Sequence, residues 1–216
     1  IAGLSTTGSI SFGIAFVAGR NRVPSPAAGM TACLIPACFA IVVTPYAARM
    51  ESKQEARGRF RELRMKAQLR DRTAPGQELL RAPEISRAQV IASFQSYGDE
   101  PDTFALHDAL SSQGKQIFLP RLNPDKSLTW LHHVTEVTAA QLATVDVVIM
   151  PALAIDMRGV RLGQGGGSFD RSLPQLPGWK VALIDSVCLS DSDLPEELHD
   201  VRVDAVATEL GITRFR

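Results

Sequence analysis

The sequence predicts an α/β fold, in which a Rossmann-like, mostly parallel sheet forms the middle layer of a three-layer α/β/α domain. Five short runs of nearly continuous apolar residues carry this prediction: Val90–Phe94, Gln116–Leu119, Val145–Met150, Val181–Ile184 and Val203–Val206. Runs without polar alternation are typical of parallel strands that are covered on both faces. A helical segment lies between the first two runs, and alternation of strand and helix favours a layered sheet.

Composition and charge limit the classes of protein to which this chain can belong. The 216 residues include 45% apolar and 21% charged side chains, which suits one ordinary α/β domain with an appendage. Residues 50–216 carry 20 basic and 23 acidic side chains, a balance that argues against general binding of nucleic acids. The three cysteines, Cys33, Cys38 and Cys188, lack metal-binding spacing, so we expect a reduced, cytoplasmic protein without disulfides.

Residues 1–49 differ in composition from the rest of the chain. They contain three arginines and no acidic residue, and their longest apolar run, Thr31–Val43, is interrupted by Pro36. That run is shorter than the roughly 20 residues of a membrane-spanning helix, so we expect no membrane segment. Three interpretations remain open: untranslated sequence upstream of a start at Met50, a targeting segment, or a disordered extension. In all three, residues 50–216 form the functional domain.

An amphipathic helix is predicted from Lys53 to about Asp71. Its apolar positions recur at helical spacing and are Ala56, Phe60, Leu63 and Ala67. A second stripe on the same helix is basic and consists of Lys53, Arg57, Arg61 and Arg64. Such a stripe is typical of a solvated face, and it is also able to reach an anionic ligand.

The segment after this helix is predicted to contain a loop, a broken helical stretch and a second clear helix. The loop is placed at Thr73–Gly76, and the helical stretch is interrupted near Pro83. The second helix is placed at Thr103–Gln113, because Thr103 is a good N-cap residue and Gly114 is a good helix terminator.

The most informative segment is a glycine run that follows the third apolar run. Glycines at 163 and 165–167 come after a strand ending at Met150 and before a predicted helix start at Ser168. Glycine amides can converge on an anion, and a helix N-terminus adds partial positive charge, so the segment suits a polyphosphate. It matches neither the Walker A motif nor GxGxxG. Arg161 and Arg171 flank it as phosphate-binding cations, and Asp170 offers a hard oxygen ligand for magnesium.

The string RLGQGGGSFDR at 161–171, preceded by MPALAID at 150–156, resembles the signature of the 5-formyltetrahydrofolate cyclo-ligase family. Further segments resemble the family's motifs in chain order, namely Lys53–Arg57, Gly98–Thr103, Gly114–Lys115, Leu119–Arg121, Leu194–Pro195, His199–Asp204 and Thr208–Glu209. The resemblance therefore covers most of the chain after Met50.

The resemblance implies an ATP-dependent ligase of one-carbon metabolism. ATP would phosphorylate the N5-formyl oxygen of 5-formyltetrahydrofolate, N10 would attack the activated carbon, and 5,10-methenyltetrahydrofolate, ADP and phosphate would be released. A formamide carbonyl is a poor electrophile, so turning its oxygen into a phosphate leaving group solves the chemical problem. The expected partners are these small molecules with Mg²⁺ as cofactor, without nucleic acid or membrane, and the expected state is a monomer or weak dimer.

The resemblance also implies the site residues. Catalysis is assigned to Arg161 and Asp170, and magnesium to Asp170 and Asp200. The residues expected to bind ATP are Lys53, Arg57, Arg161, Leu162, Gly163, Gln164, Gly165, Gly166, Gly167, Ser168 and Phe169. The residues expected to bind the folate are Gln95, Glu100, Gln164, Gly165, Gly166, Gly167 and Ser168.

Three features depart from the family pattern. Ser168 stands where an aromatic residue is usual, Gln164 stands where tyrosine or arginine is common, and the interval from Trp130 to Val145 is shorter than usual. One alternative is therefore a catalytically degenerate relative that binds nucleotide or folate without turnover. A second alternative is an RNA-associated protein that uses the basic first helix, which the composition disfavours.

Overall fold

The computed structural model describes residues 51–67 and 71–215 of the chain. The interpretations of residues 1–49 and the positions Cys33 and Cys38 lie outside these residues. Within the two described ranges, no helix is long and apolar enough to cross a membrane.

The described residues form eleven strands in two sheets. The strands are β1 (Val90–Ala92), β2 (Gln116–Leu122), β3 (Leu128–His132), β4 (Thr135–Glu136), β5 (Val147–Pro151), β6 (Ala154–Asp156), β7 (Arg161–Leu162), β8 (Trp179–Leu183), β9 (Leu189–Ser190), β10 (Ala205–Thr208) and β11 (Gly211–Arg214). The large sheet has the order β11-β10-β8-β5-β1-β2-β3-β4, and the small sheet has the order β7-β6-β9.

The centre of the large sheet is parallel. Strands β10, β8, β5, β1 and β2 pair in parallel, and antiparallel strands are added at both edges. Four residues of β5, Val147 to Met150, are buried, as expected for a strand covered on both faces. Each of the five predicted strands is present, and the prediction of a mostly parallel sheet is confirmed.

Helices cover both faces of the large sheet. They are α1 (Lys53–Lys66), α2 (Ala74–Leu80), α3 (Pro83–Arg87), α4 (Phe104–Ser112), α5 (Ala139–Leu142) and α6 (Ser168–Ser172). One core cluster contains the buried side chains of α2, α3 and α4, and the other contains those of α1 and α5. Side chains of β5 alternate between the two clusters, with Val148 in one and Ile149 in the other. The three-layer α/β/α prediction is therefore confirmed.

Several element boundaries differ from the prediction. Helix α1 ends at Lys66, earlier than predicted, where the Ala67 amide donates back to carbonyls of the last turn. The predicted loop at Thr73–Gly76 was wrong, because α2 already begins at Ala74 and accommodates Pro75 in its first turn. Strand β2 runs beyond the predicted range, to Leu122, because its second half pairs with β3.

Thr103 occupies the N-cap position of α4 without capping it by its side chain. Its hydroxyl instead accepts a hydrogen bond from the Ser96 amide at 3.0 Å. The Asp102 carboxylate accepts a hydrogen bond from the Phe104 amide at 2.7 Å and serves the first turn of the helix. Thr103 thus fixes the loop between β1 and α4.

A buried aspartate holds the small sheet together. Asp156 is 1% exposed and accepts hydrogen bonds from the amides of Arg158, Val160 and Leu194 and from the Arg158 guanidinium. Burial raises the pKa of Asp156, but these hydrogen bonds outweigh burial and hold its pKa below the usual value. Because the turn 156–160 leads into β7, Asp156 fixes the strand from which Arg161 projects.

Candidate functional site

A cavity of about 340 Å³ lies at the carboxyl end of β5, where ligands of open parallel sheets commonly bind. It is lined by Lys53, Arg57, Glu100, Pro151, Ala152, Arg161, Leu162, Gly163, Gln164, Gly165, Gly166, Gly167, Ser168, Phe169, Asp170, Glu197, His199 and Asp200. The lining therefore combines the first helix, the loop after β1, the glycine run and a loop near the C-terminus.

The glycine run has its carbonyl oxygens held by arginines. Arg57 Nε donates to the Gly163 carbonyl at 3.0 Å, and Arg61 Nη2 donates to the Gln164 carbonyl at 3.3 Å. Arg171 Nη2 donates to the Gly166 carbonyl at 3.4 Å. No residue in the described part of the chain accepts a hydrogen bond from the amides of residues 165–167. Those amides are therefore available to an anion in the cavity.

Two of the glycines have backbone conformations that other residues adopt with strain. Gly165 has φ +106° and Gly167 has φ +64°, both in the region that favours glycine. Helix α6 starts directly after Gly167, at Ser168, as the sequence predicted. The glycines thus make the turn that brings the run back over the cavity.

Arg161 and Asp170 form an ion pair within the cavity wall. Arg161 Nη2 lies 2.5 Å from Asp170 Oδ1, and Arg161 Nη1 donates to the Pro151 carbonyl at 3.2 Å. Arg161 is 8% exposed, and its Nε is buried without a partner among the described residues. The two residues predicted to be catalytic are therefore in direct contact, and the arginine joins the end of β5 to α6.

Lys53 and Asp200 form a second ion pair, at 2.7 Å between Nζ and Oδ2. Asp200 also accepts a hydrogen bond from the Glu197 amide at 2.7 Å. Burial raises the pKa of Asp200, but the Lys53 ammonium and the Glu197 amide outweigh burial and hold its pKa below the usual value. Asp200 therefore remains a carboxylate well into the acid range.

Glu197 and His199 extend this acidic corner. With Asp200 they place three potential ligand atoms within 4.8 Å of one another. Carboxylate oxygens suit a hard divalent cation, so the composition of the corner fits magnesium. His199 is exposed, and its Nε2 lies 3.3 Å from Glu197 Oε2.

Glu100 is the acidic residue that the β1–α4 loop contributes to the cavity lining. Burial raises the pKa of Glu100, and the hydrogen bond from the Tyr97 amide opposes this only in part. Gln95, also predicted to contact the folate, is exposed and is not part of the cavity lining. Its assignment stays a prediction, whereas Glu100 does face the cavity.

The Phe169 ring packs against a strand of the large sheet. Its centroid lies 6.1 Å from that of Trp130 in β3, with the ring planes at 85°. This edge-to-face contact fixes α6 against the hairpin of β2 and β3. Trp130 is 3% exposed and is a packing residue at this point.

Most of the lining residues are those that the sequence predicts, but some residues in the lining or in contact with it carry no clear signal. Arg61 belongs to a stripe typical of a solvated face, yet its guanidinium reaches both the carbonyl and the side-chain oxygen of Gln164. Glu197 has no recognisable signal in the sequence, and His199 is indicated only by the family resemblance of the segment His199–Asp204. The helical spacing of Arg61 after Arg57 is the one available clue to its role.

Comparison with protein families gives one match over most of the chain. Residues 49–209 match the model described as the 5-formyltetrahydrofolate cyclo-ligase family. A 5-formyltetrahydrofolate cyclo-ligase of Escherichia coli strain K12 is 31% identical, over 58% of this chain and 81% of that protein. One from Mycolicibacterium smegmatis is 29% identical, over 59% of this chain and 78% of that protein.

Solved structures of similar fold include two 5,10-methenyltetrahydrofolate synthetases. The protein from Aquifex aeolicus has a TM-score of 0.63 and 25% identity, covering 76% of this chain and 93% of its own. The protein from Mycoplasma pneumoniae has a TM-score of 0.63 and 19% identity, covering 73% of this chain and 99% of its own. The likeness to the Mycoplasma pneumoniae protein supports the fold. The likeness to the Aquifex aeolicus protein supports the fold and also a relationship between the two sequences.

Proposed function

The chain belongs to the 5-formyltetrahydrofolate cyclo-ligase family, and from this premise we propose that the cavity below its glycine run is the active site. The protein is an enzyme that cyclises 5-formyltetrahydrofolate to 5,10-methenyltetrahydrofolate, with ATP as co-substrate. We assign the steps of this reaction to residues in the wall of that cavity.

One observation supports the assignment above all others. Lys53 and Arg57 from the first helix and Asp200 from near the C-terminus line the same cavity as the glycine run. Cations, free amides and carboxylates in one place are what a triphosphate with its divalent cation requires. A surface on which these residues were scattered would offer no such site.

We assign the triphosphate to the side of the cavity formed by α1 and the glycine run. The amides of residues 165–167 would donate to phosphate oxygens, while Lys53 and Arg57 would neutralise their charge. The remaining ATP-binding assignments, from Arg161 to Phe169, follow the same wall of the cavity. Because Phe169 is packed on Trp130, we assign it to support of the wall more than to stacking on the base.

The reaction requires alignment and charge neutralisation more than strong acid or base catalysis. The formyl oxygen forms a bond to the γ-phosphorus as the bond to the ADP oxygen breaks. N10 then forms a bond to the formyl carbon and loses its proton, and the carbon–oxygen bond breaks to release phosphate. Arg161, held in place by Asp170, is the cation that we assign to the transferred phosphoryl group.

Magnesium is assigned to the carboxylates of Asp170 and Asp200. Both line the cavity, and the donors around Asp200 are mostly oxygen atoms that suit this ion. When bound, the ion neutralises phosphate charge that the protein cations leave uncompensated. Each carboxylate is paired with a cation, Lys53 for Asp200 and Arg161 for Asp170, so neither is an isolated buried charge.

Glu100 is assigned to the folate. It lines the cavity from the β1–α4 loop, an element that carries none of the residues assigned to phosphate. A carboxylate there can accept hydrogen bonds from the N–H groups of a pterin ring, which present donors along one edge. Gln95 is exposed and lies outside the cavity lining, so its contact with the folate stays a prediction.

The proposal is tested by turnover with labelled substrate. The protein is mixed with ATP, magnesium and 5-formyltetrahydrofolate carrying ¹⁸O in the formyl group, and the methenyl product is followed by absorbance. We expect product formation in step with ADP release, and ¹⁸O in the inorganic phosphate. Binding of ATP without product would instead identify a degenerate relative, and release of the ¹⁸O into water with unlabelled phosphate would exclude phosphorylation of the formyl oxygen.

A further inference from the structure

Arg64, in the last turn of α1, is the largest fully buried side chain among the described residues. It is 1% exposed, and its Nη2 donates a hydrogen bond to the Ala152 carbonyl. Its Nε and Nη1 are also buried and have no hydrogen-bond partner in the described ranges. Neither the sequence pattern nor the assigned reaction gives this residue a role.

A buried guanidinium needs an explanation that packing alone does not supply. Taking a cation out of water is costly unless it is paired and fully hydrogen-bonded, and an apolar side chain of similar size is often more stabilising. The neighbouring buried positions of the same helix, Ala56 and Phe60, are apolar as expected. The cation at position 64 therefore points to an electrostatic function.

Two of the groups that contact Arg64 lie in or directly beside the cavity lining. Arg64 Nη1 lies 4.0 Å from Asp99 Oδ1, and Asp99 is followed by Glu100, which lines the cavity. Ala152, whose carbonyl Arg64 holds, lines the same cavity. The Cys188 thiol also lies near the guanidinium: burial raises the pKa of this thiol, and the charge of Arg64 and a hydrogen bond from its guanidinium oppose that rise only in part.

We infer that Arg64 is a positioning residue for the folate side of the cavity. The buried charge of Arg64 holds the Asp99–Glu100 turn and the Ala152 carbonyl in place, and it favours the carboxylate form of Glu100, which accepts hydrogen bonds from the substrate. The inference rests on the proposed function, because it concerns the residue assigned to the folate.

The charges around Glu100 determine the direction of the expected effect. Burial raises the pKa of Glu100, the Tyr97 amide and the charge of Arg64 lower it, and the charge of Asp99 raises it again. Arg72 lowers the pKa as well, and its guanidinium donates to the Glu100 carbonyl. Removal of the Arg64 charge takes away one of the causes that lower the pKa of Glu100. Burial and the Asp99 charge, which both raise that pKa, then have a larger net effect, so the pKa of Glu100 rises further.

The pH dependence of kcat/KM for 5-formyltetrahydrofolate tests this inference. In Arg64→Met we expect the acid limb of the profile to move upward by about one pH unit, with little change in KM for ATP. Arg64→Lys, which keeps the charge, is expected to restore most of the wild-type profile. Lys66→Met, which removes a cation from the exposed end of the same helix, is the matched control and should leave the profile unchanged.

A merely structural role predicts a different pattern. Arg64→Met would then lower the thermal midpoint and the amount of folded protein, with an unshifted profile for the folded fraction, and that result would overturn the inference. We expect instead an unchanged or higher midpoint, because methionine fills the space without unpaired nitrogens. If Arg64→Met does not fold, Arg64→Gln is measured for the same shift.

A measurement without substrate separates this inference from the proposed function. The Glu100 carboxyl carbon is followed by ¹³C NMR during a pH titration, with Glu100→Gln used to assign its signal. A higher midpoint in Arg64→Met than in wild type supports the coupling even if the protein turns over no folate. Equal midpoints in the two proteins reject the inference and leave the cyclo-ligase assignment standing.

Discussion

Lys53, the first residue of α1, lies 2.7 Å from Asp200, a residue 147 positions later in the chain. The contact closes one side of the cavity and places a cation beside a carboxylate assigned to magnesium. The ligand-binding role that we propose for the first helix rests on this contact and is not predicted by the amphipathic pattern of the helix alone. Substitutions at this contact and elsewhere in the cavity wall should therefore change how activity depends on ATP and magnesium.

Replacing Asp200 by asparagine is expected to lower kcat by about a hundredfold and to weaken the dependence on magnesium. The amide removes the negative charge that pairs with Lys53 and the hard ligand assigned to the ion. Activity is measured as a function of magnesium concentration. Asp193→Asn, at an exposed position that pairs with Arg158, is the control and should behave as wild type. Undiminished activity of Asp200→Asn would remove this residue from the metal site.

Replacing Gly165 by alanine is expected to raise KM for ATP by about tenfold and to destabilise the protein by about 1 kcal/mol. The position has φ +106°, which alanine adopts only with strain, and relief of that strain would turn the amides away from the cavity. ATP titrations and denaturant unfolding measure the two effects.

The matched control for the loop substitution is Gly58→Ala. Gly58 lies inside α1, has no positive φ, and has no neighbouring atom within 4 Å of the place that an alanine Cβ would take. We expect stabilisation by about 0.5–1 kcal/mol and unchanged ATP binding. Similar losses of ATP affinity in both variants would show that the effect is not specific to the glycine run.

Replacing Arg61 by methionine is expected to raise KM for ATP by about threefold to tenfold with little effect on kcat. The guanidinium holds both oxygens of Gln164, so its removal frees one end of the glycine run. Steady-state kinetics at saturating folate measures the change. Arg121→Met, which removes an exposed arginine paired with Glu136, is the control. Equal kinetics for Arg61→Met and wild type would contradict a role for Arg61 in holding the run.

Replacing Asp156 by asparagine is expected to destabilise the protein by about 2–3 kcal/mol at neutral pH. Because the folded-state pKa of Asp156 is depressed, its carboxylate stabilises the protein above the unfolded-state pKa. That contribution is lost as the pH falls through the folded-state pKa. Urea unfolding at neutral and strongly acid pH should therefore show a difference between wild type and variant that shrinks in acid. A pH-independent difference would show that charge is not the cause.

The large sheet could be predicted because its strands are buried on both faces. Val147 to Met150 have no polar alternation, and this pattern indicates a central parallel strand without further information. The start of α2 could not be predicted in the same way, since proline and glycine in its first residues are also typical of a loop. The capping of α4 by Asp102 could not be predicted either, because the adjacent Thr103 is an equally good N-cap residue by type.

The candidate site could be predicted from residue types only where its residues are neighbours in the sequence. The glycine run, Arg161 and Asp170 are neighbours in the chain, and their residue types indicate phosphate binding. Asp200 was assigned to the site only because of the family resemblance, since no local sequence pattern links it to Lys53. Arg64 could not be found at all, since sequence shows a basic stripe but not which of its members turns inward.

The order in which the cavity wall is assembled has a consequence for synthesis in the cell. Its first contributor, Lys53, leaves the ribosome long before Glu197 and Asp200. A nascent chain therefore has a helix and, later, a glycine run, but no complete nucleotide site until nearly all of the domain has been translated. Premature termination shortly before position 197 would yield a product that lacks β10, β11 and one wall of its pocket.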